Sequence, residues 1–116
     1  MNKTASYLKI ASEIASKGQD FRSFFVGAVA VRNDGAIVYS YNGPTRHPSR
    51  QAHAEYRISR KTDVGAIVYV ARIRFDGELA MAKPCRNCKK ILSSKGVKRV
   101  YYTIDNKSYG FLEFYK

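Results

Sequence analysis

The runs FFVGAVAV (24–31) and AIVYSY (36–41), joined through Asn33-Asp34-Gly35, constrain the fold of this 116-residue chain more than any other stretch. β-Branched and aromatic residues on both sides of a turn-forming Asn-Asp-Gly predict two antiparallel strands closed as a hairpin. Everything else must pack on that ribbon, because an isolated hairpin does not hold itself together in water. Before it, Leu8, Ala11, Ile14 and Ala15 form an apolar stripe that ends near Gly18, which predicts a helix over 5–17 with Thr4 as its N-cap. After it, a loop with Pro44 and Pro48 leads into 52–61, a breaker-free segment suited to a helix that starts near Gln51 or Ala52.

AIVYVARIRF (66–75) is apolar enough for an interior strand. Pro84 suits the first turn of a helix running through Leu92 to Gly96, and VKRVYYTI (97–104) reads as a strand. DNKSYG leaves only six residues before FLEFYK, too few for a parallel crossover, so a fifth strand there must return antiparallel. The order α, β-hairpin, α, β, α, β predicts a two- or three-layer α/β sandwich on a mixed sheet. The length suits a single domain spanning 1–116, with no internal repeat and no low-complexity linker.

Two short motifs carry chemistry. Cys85 and Cys88 are three residues apart, hence neighbours on one face near a helix start, where the macrodipole and the cations Lys83, Arg86 and Lys89 favour thiolates. With the imidazole of His53 they make a three-ligand set for zinc, and three protein ligands leave a fourth tetrahedral position for water. Zinc lowers the pKa of such a water to roughly 7. Glu55, one residue beyond Ala54, is placed to reach that water without coordinating, and a carboxylate there can act as general acid and base. Other readings remain: a redox Cys-x-x-Cys pair, a closed structural zinc with His47 as fourth ligand, or Glu55 as a surface charge paired with Arg57 or Arg60.

His-x-Glu followed by Pro-Cys-x-x-Cys is the signature of zinc nucleobase deaminases. With VGAVAV, YNG, HAE and PCRNC in the family order, the chain resembles the cytidine deaminase superfamily over most of its length. The resemblance implies a three-layer α/β/α sandwich whose mixed five-stranded sheet ends in a C-terminal antiparallel hairpin. It implies zinc held by His53, Cys85 and Cys88, with Glu55 carrying protons while hydroxide attacks C4 of cytosine, or C6 of adenine, and ammonia leaves. Asn42 in SYNGP matches an asparagine that hydrogen-bonds the sugar in many members, although an Asn before Gly is also ordinary turn chemistry. Backbone amides near Ala54 and Cys85 would orient the pyrimidine and the zinc water. Phe25 and Val26 are candidate walls for the base, with core packing the plainer role for Phe25.

The resemblance divides on substrate. A histidine in the first motif resembles deoxycytidylate, tRNA-adenosine, guanine and polynucleotide cytosine deaminases, whereas the short C-terminal connection resembles nucleoside deaminases and several bacterial deaminase toxins. FDGELAMA, between the 66–75 strand and Lys83, is an excursion beyond the family pattern. Charge favours a phosphorylated substrate. The net charge is +12, from Lys83 to Arg99 there are seven basic residues and no acidic one, and from Arg46 to Lys61 there are five against Glu55 alone.

The expected activity is therefore hydrolytic deamination of cytosine in a (deoxy)cytidine nucleotide or nucleoside. Its rivals are a deaminase acting on cytosine or adenosine in single-stranded DNA or RNA, and a non-enzymatic zinc-stabilised nucleic-acid-binding module. Tyr101, Tyr102, Tyr109 and Tyr115 offer stacking surfaces, with strand packing the commoner use of such residues. Both cysteines in a single Cys-x-x-Cys, an N-terminus without a signal-peptide core and the lack of an 18-residue apolar run predict a cytoplasmic protein with no membrane span. Homo-oligomers are common in the family.

Overall fold

The computed structural model describes residues 3–16, 25–42, 54–74 and 76–114. In chain order the elements are α1 (Lys3–Ala15), β1 (Phe25–Val31), β2 (Ile37–Tyr41), α2 (Ala54–Ser59), β3 (Ile67–Ile73), β4 (Leu79–Ala80), α3 (Arg86–Ser94), β5 (Arg99–Thr103) and β6 (Tyr109–Glu113). The sheet runs β2-β1-β3-β5-β6, with β4 joined to β3 outside that path. β1 is antiparallel to both β2 and β3, β3 and β5 are parallel, and β5 and β6 close the expected hairpin.

Strand alternation divides the side chains between two cores. On one face α1 lays Leu8, Ala11 and Ile14 against Val29, Tyr69 and Ala71. On the other, Ala54 and Ile58 of α2 and Leu92 of α3 meet Ala28, Ala30, Val68, Val70 and Val100. The result is the three-layer α/β/α sandwich. At the centre of β3, residues 68–71 are buried on both faces, which is why that strand reads as an uninterrupted apolar run.

α1 lies unusually close to the sheet. A β-carbon on Gly27 would stand 2.2 Å from the Ala11 carbonyl oxygen and 2.5 Å from the Ala15 nitrogen. Ala11, Ala15 and Ala71, all fully buried, let helix and strand backbones approach to this extent.

The hairpin turns follow their sequence chemistry. Gly35 N–H donates to the Arg32 carbonyl, and Gly35 itself takes φ of 91°. Asp63 reaches across to accept the Asn33 N–H at 2.8 Å, tying the turn to the loop before β3. Asp105 accepts the N–H groups of Lys107 and Ser108 and so folds residues 104–108 into the β5–β6 turn.

Four expectations change. Thr4 lies inside α1 rather than capping it, since the helix already includes Lys3. Pro84 precedes the helix instead of occupying its first turn, because Cys85 is the N-cap of α3, with φ −68° and ψ 168°. The 75–83 excursion contains an additional strand: Asp76-Gly77, with Gly77 at φ 88°, turns β3 back on itself so that Leu79 pairs with Ile73 and Ala80 with Arg72. β6 starts at Tyr109, two residues before the FLEFYK run.

Candidate active site

The N-terminal ends of α2 and α3 meet on the same face of the sheet, where Ala54 and Ile58 share a core with Ala82 and Leu92. α2 is fixed from below by β2: Ser40 Oγ donates to the Ala54 carbonyl at 2.7 Å, and Arg57 reaches the Tyr41 carbonyl at 2.9 Å while its guanidinium lies over the Tyr41 ring. Lys61 Nζ donates to the Tyr39 carbonyl at 2.7 Å. These two cations fasten α2 to the outer edge of the sheet, so of the basic cluster expected over 46–61 they are the part committed to structure. Arg46 and Arg50 lie outside the described residues, as do His47 and His53.

Glu55 is 8% exposed and therefore not a surface charge. Desolvation raises its carboxyl above the ordinary range, with its own backbone N–H pulling in the opposite direction. A carboxyl held in this way is suited to keeping a proton between two transfers.

Cys85 and Cys88 come together through capping geometry. Cys85 at the N-cap and Cys88 three residues on occupy the two positions whose side chains face each other in a capping box, and the thiols are in hydrogen-bonding contact. Lys89 N–H closes the first helical turn on the Cys85 carbonyl at 2.9 Å. Cys85 is exposed and Cys88 is completely buried, so one sulfur faces the way in and the other the interior.

The expected thiolate stabilisation does not hold for Cys88. Burial pushes its thiol well up, and the neighbouring Glu55 carboxylate and Cys85 push the same way, while the Tyr56 N–H opposes them. The proton on Cys88 must therefore leave when a cation binds.

The Glu55 carboxyl is near enough to Cys88 for its charge to be felt there. The donor set fits zinc: the two sulfurs of Cys85 and Cys88 are in contact and are soft ligands suited to it. Among the described residues no three His, Cys, Asp or Glu side chains gather, and the third expected ligand, His53, lies outside them.

Thr103 is a contributor that the sequence did not reveal. Its hydroxyl donates to the Ala80 carbonyl at 2.8 Å and accepts the Arg72 N–H at 3.2 Å, while its carbonyl accepts the Ala82 N–H at 2.8 Å. The Thr103 side chain thus pins β4 to β3, and its backbone carbonyl holds the segment that delivers Cys85. Thr103→Val should remove the hydroxyl that the Ala80 carbonyl and the Arg72 N–H share, lowering stability by about 1–3 kcal/mol in thermal melts.

The substrate-side candidates separate by face. Alternation places Val26 with Ala28 and Ala30 on the α2/α3 side, and Phe25 with Val29 and Val31 on the α1 side. Asn42 is buried, and its Oδ1 accepts the Val26 N–H at 2.9 Å. It therefore braces the start of β1 next to the site. A separate groove of about 280 Å³, lined by Leu8, Ser12, Leu79, Thr103, Asn106 and Tyr109, opens on the α1 side and does not reach Glu55.

Residues 1–104 match the family model described as the cytidine and deoxycytidylate deaminase zinc-binding region. A sequence comparison with curated proteins gives no match. Among solved structures, cytidine deaminase from Burkholderia pseudomallei superposes with a TM-score of 0.72 at 18% identity, covering 97% of this chain and 93% of its own. Cytidine deaminase from Mycobacterium leprae gives 0.66 at 17%, covering 96% and 94%. The dCMP deaminase of cyanophage S-TIM5 gives 0.62 at 24%, covering 92% and 88%. At these identities the likeness is one of fold. Among the described residues no helix is long and apolar enough to cross a membrane.

Proposed function

Because the chain belongs to the cytidine and deoxycytidylate deaminase zinc-binding family, we propose that it is a single-domain enzyme that hydrolyses the amino group of cytosine in a (deoxy)cytidine nucleotide. The observation that supports this reading is the burial of Glu55 together with its electrostatic influence on Cys88, whose thiol contacts that of Cys85. His53, Cys85 and Cys88 would hold zinc, which when bound supplies a water acidic enough to react near neutral pH.

Glu55 does the proton work. Its carboxylate takes a proton released by the attacking water and returns protons to the base as the C4–N4 bond breaks, so that water and cytosine become uracil and ammonia. Burial serves this directly, because a desolvated carboxyl binds and releases a proton closer to neutrality than an exposed one. The backbone beside Ala54, fixed through Ser40, would orient the ring, and Val26 would wall it. Asn42 would shape the sugar side by holding Val26, which gives it a positioning role beside any contact of its own. Phe25, on the opposite face, has no part in this arrangement.

Positive charge near Cys85 favours a phosphorylated substrate over a neutral nucleoside. The test is uracil formation from dCMP, dCTP, cytidine and an oligodeoxycytidine at equal cytosine concentration. A nucleotide should be turned over in preference to cytidine. Preference for cytidine would contradict the phosphate argument, and no uracil from any of the four would contradict the reading as a whole.

A further inference from the structure

α3 carries its charges in an arrangement that works against the helix. Arg86, Lys89 and Lys90 crowd its first turns, its first turn has no acidic residue, and its last turn has no basic one. Cations disfavour the N-terminal end of a helix dipole, and like charges at i, i+3 and i, i+4 repel. Arg86 and Lys90, one turn apart, lie opposite the buried Cys88 and Leu92 and are exposed, as is Lys83 just before the helix.

Most acidic side chains among the described residues are engaged away from this strip. Asp34 and Asp63 sit with Arg32, Asp76 with Arg74, and Glu113 with Arg99. Asp105 closes its own turn, and Glu78 accepts from Asn106. Among the described residues no carboxylate pairs with Lys83, Arg86 or Lys90. Among the described residues none of the exposed large apolar residues lies on α3 itself, and the one nearest in sequence, Met81, sits two residues before Lys83.

We propose that the solvent face of α3, through Lys83, Arg86 and Lys90, binds the phosphate backbone of single-stranded nucleic acid. A polyanion is the partner that relieves repulsion along a whole strip, whereas a mononucleotide supplies phosphate at one end only. The strip starts beside the exposed Cys85, so a strand lying along it has its bases within reach of the site. The choice of a single strand rests on the proposed deaminase reading, since a duplex would first have to flip out its base at a cost of a few kcal/mol.

The experiment measures anisotropy of a labelled oligodeoxycytidine in a salt titration, with Glu55→Gln as the common background so that bound strand is not consumed. Lys83→Gln/Arg86→Gln/Lys90→Gln should weaken binding about tenfold or more and lower the slope of log K against log salt by about 2, roughly 0.7 for each lost phosphate contact. Lys3→Gln/Lys9→Gln/Lys107→Gln removes the same charge elsewhere and should bind much as the parent does. Equal weakening by both sets would mean that net charge, not this strip, attracts the strand, and would overturn the inference. Unchanged binding by the first set, or tighter binding of the matching duplex, would also overturn it. Uracil formation is followed separately: binding through α3 with no uracil from any substrate defeats the deaminase reading alone.

Discussion

Replacing Glu55 by Gln is expected to lower cytosine deamination by about 10²- to 10⁴-fold, the range associated with losing a positioned general acid–base. Glutamine keeps the shape and the hydrogen-bonding capacity of the side chain but cannot take up or release the proton. Glu55 is enclosed, so no solvent-exposed carboxylate replaces it from the same position. The thermal midpoint should stay close to that of the parent, and bound zinc should be retained, because Glu55 is not among the proposed ligands. Full activity in Glu55→Gln would remove the proton carrier from the mechanism. Loss of zinc in the same variant would make Glu55 a ligand instead.

The second large effect concerns the fold. Gly27→Val should destabilise the protein by about 3 kcal/mol or more, since overpacking a closed interface costs 1–3 kcal/mol and sometimes exceeds it. A single β-carbon at this position already meets backbone atoms of Ala11 and Ala15 at 2.2 and 2.5 Å, and backbone cannot move aside as a flexible side chain would. The strain falls on α1 and β1, whose Val26 reaches the site face, so zinc binding should weaken together with the melting midpoint. At about 4 °C per kcal/mol the midpoint should fall by roughly 12 °C. A midpoint within about 2 °C of the parent would show that α1 can shift outward without cost.

Much of this architecture is legible in the residues. Asn33-Asp34-Gly35 announces its hairpin, the Leu8, Ala11, Ile14, Ala15 stripe is the buried face of α1, and the brevity of DNKSYG correctly requires β6 to be antiparallel. β4 is too short to carry a period, and only Asp76-Gly77 marked its turn. Pro84 put the helix start two positions too early because proline suits several places around an N-terminus, and the decisive fact is that Cys85 takes the cap.

In the site, the spacing of the Cys-x-x-Cys motif put Cys85 and Cys88 one turn apart, and the structure brings their thiols into contact. Spacing could not show the burial that governs both Glu55 and Cys88, since desolvation depends on segments far away in the chain. Thr103 was equally hidden. A threonine in a strand looks like propensity, and its role appears only when β4 folds back within reach of its hydroxyl. Arg57 and Lys61, which look like part of a phosphate-attracting cluster, are instead used to hold α2 on β2.

Metal content tests the account most directly. Mass spectrometry of the purified protein should find about one zinc per chain in the parent and in Glu55→Gln, and little in His53→Ala, Cys85→Ser or Cys88→Ser, with circular dichroism confirming that each is folded. A parent that takes up no zinc, or a folded Cys88→Ser that keeps the full amount, would contradict the claim that one imidazole and these two sulfurs hold the metal beside Glu55.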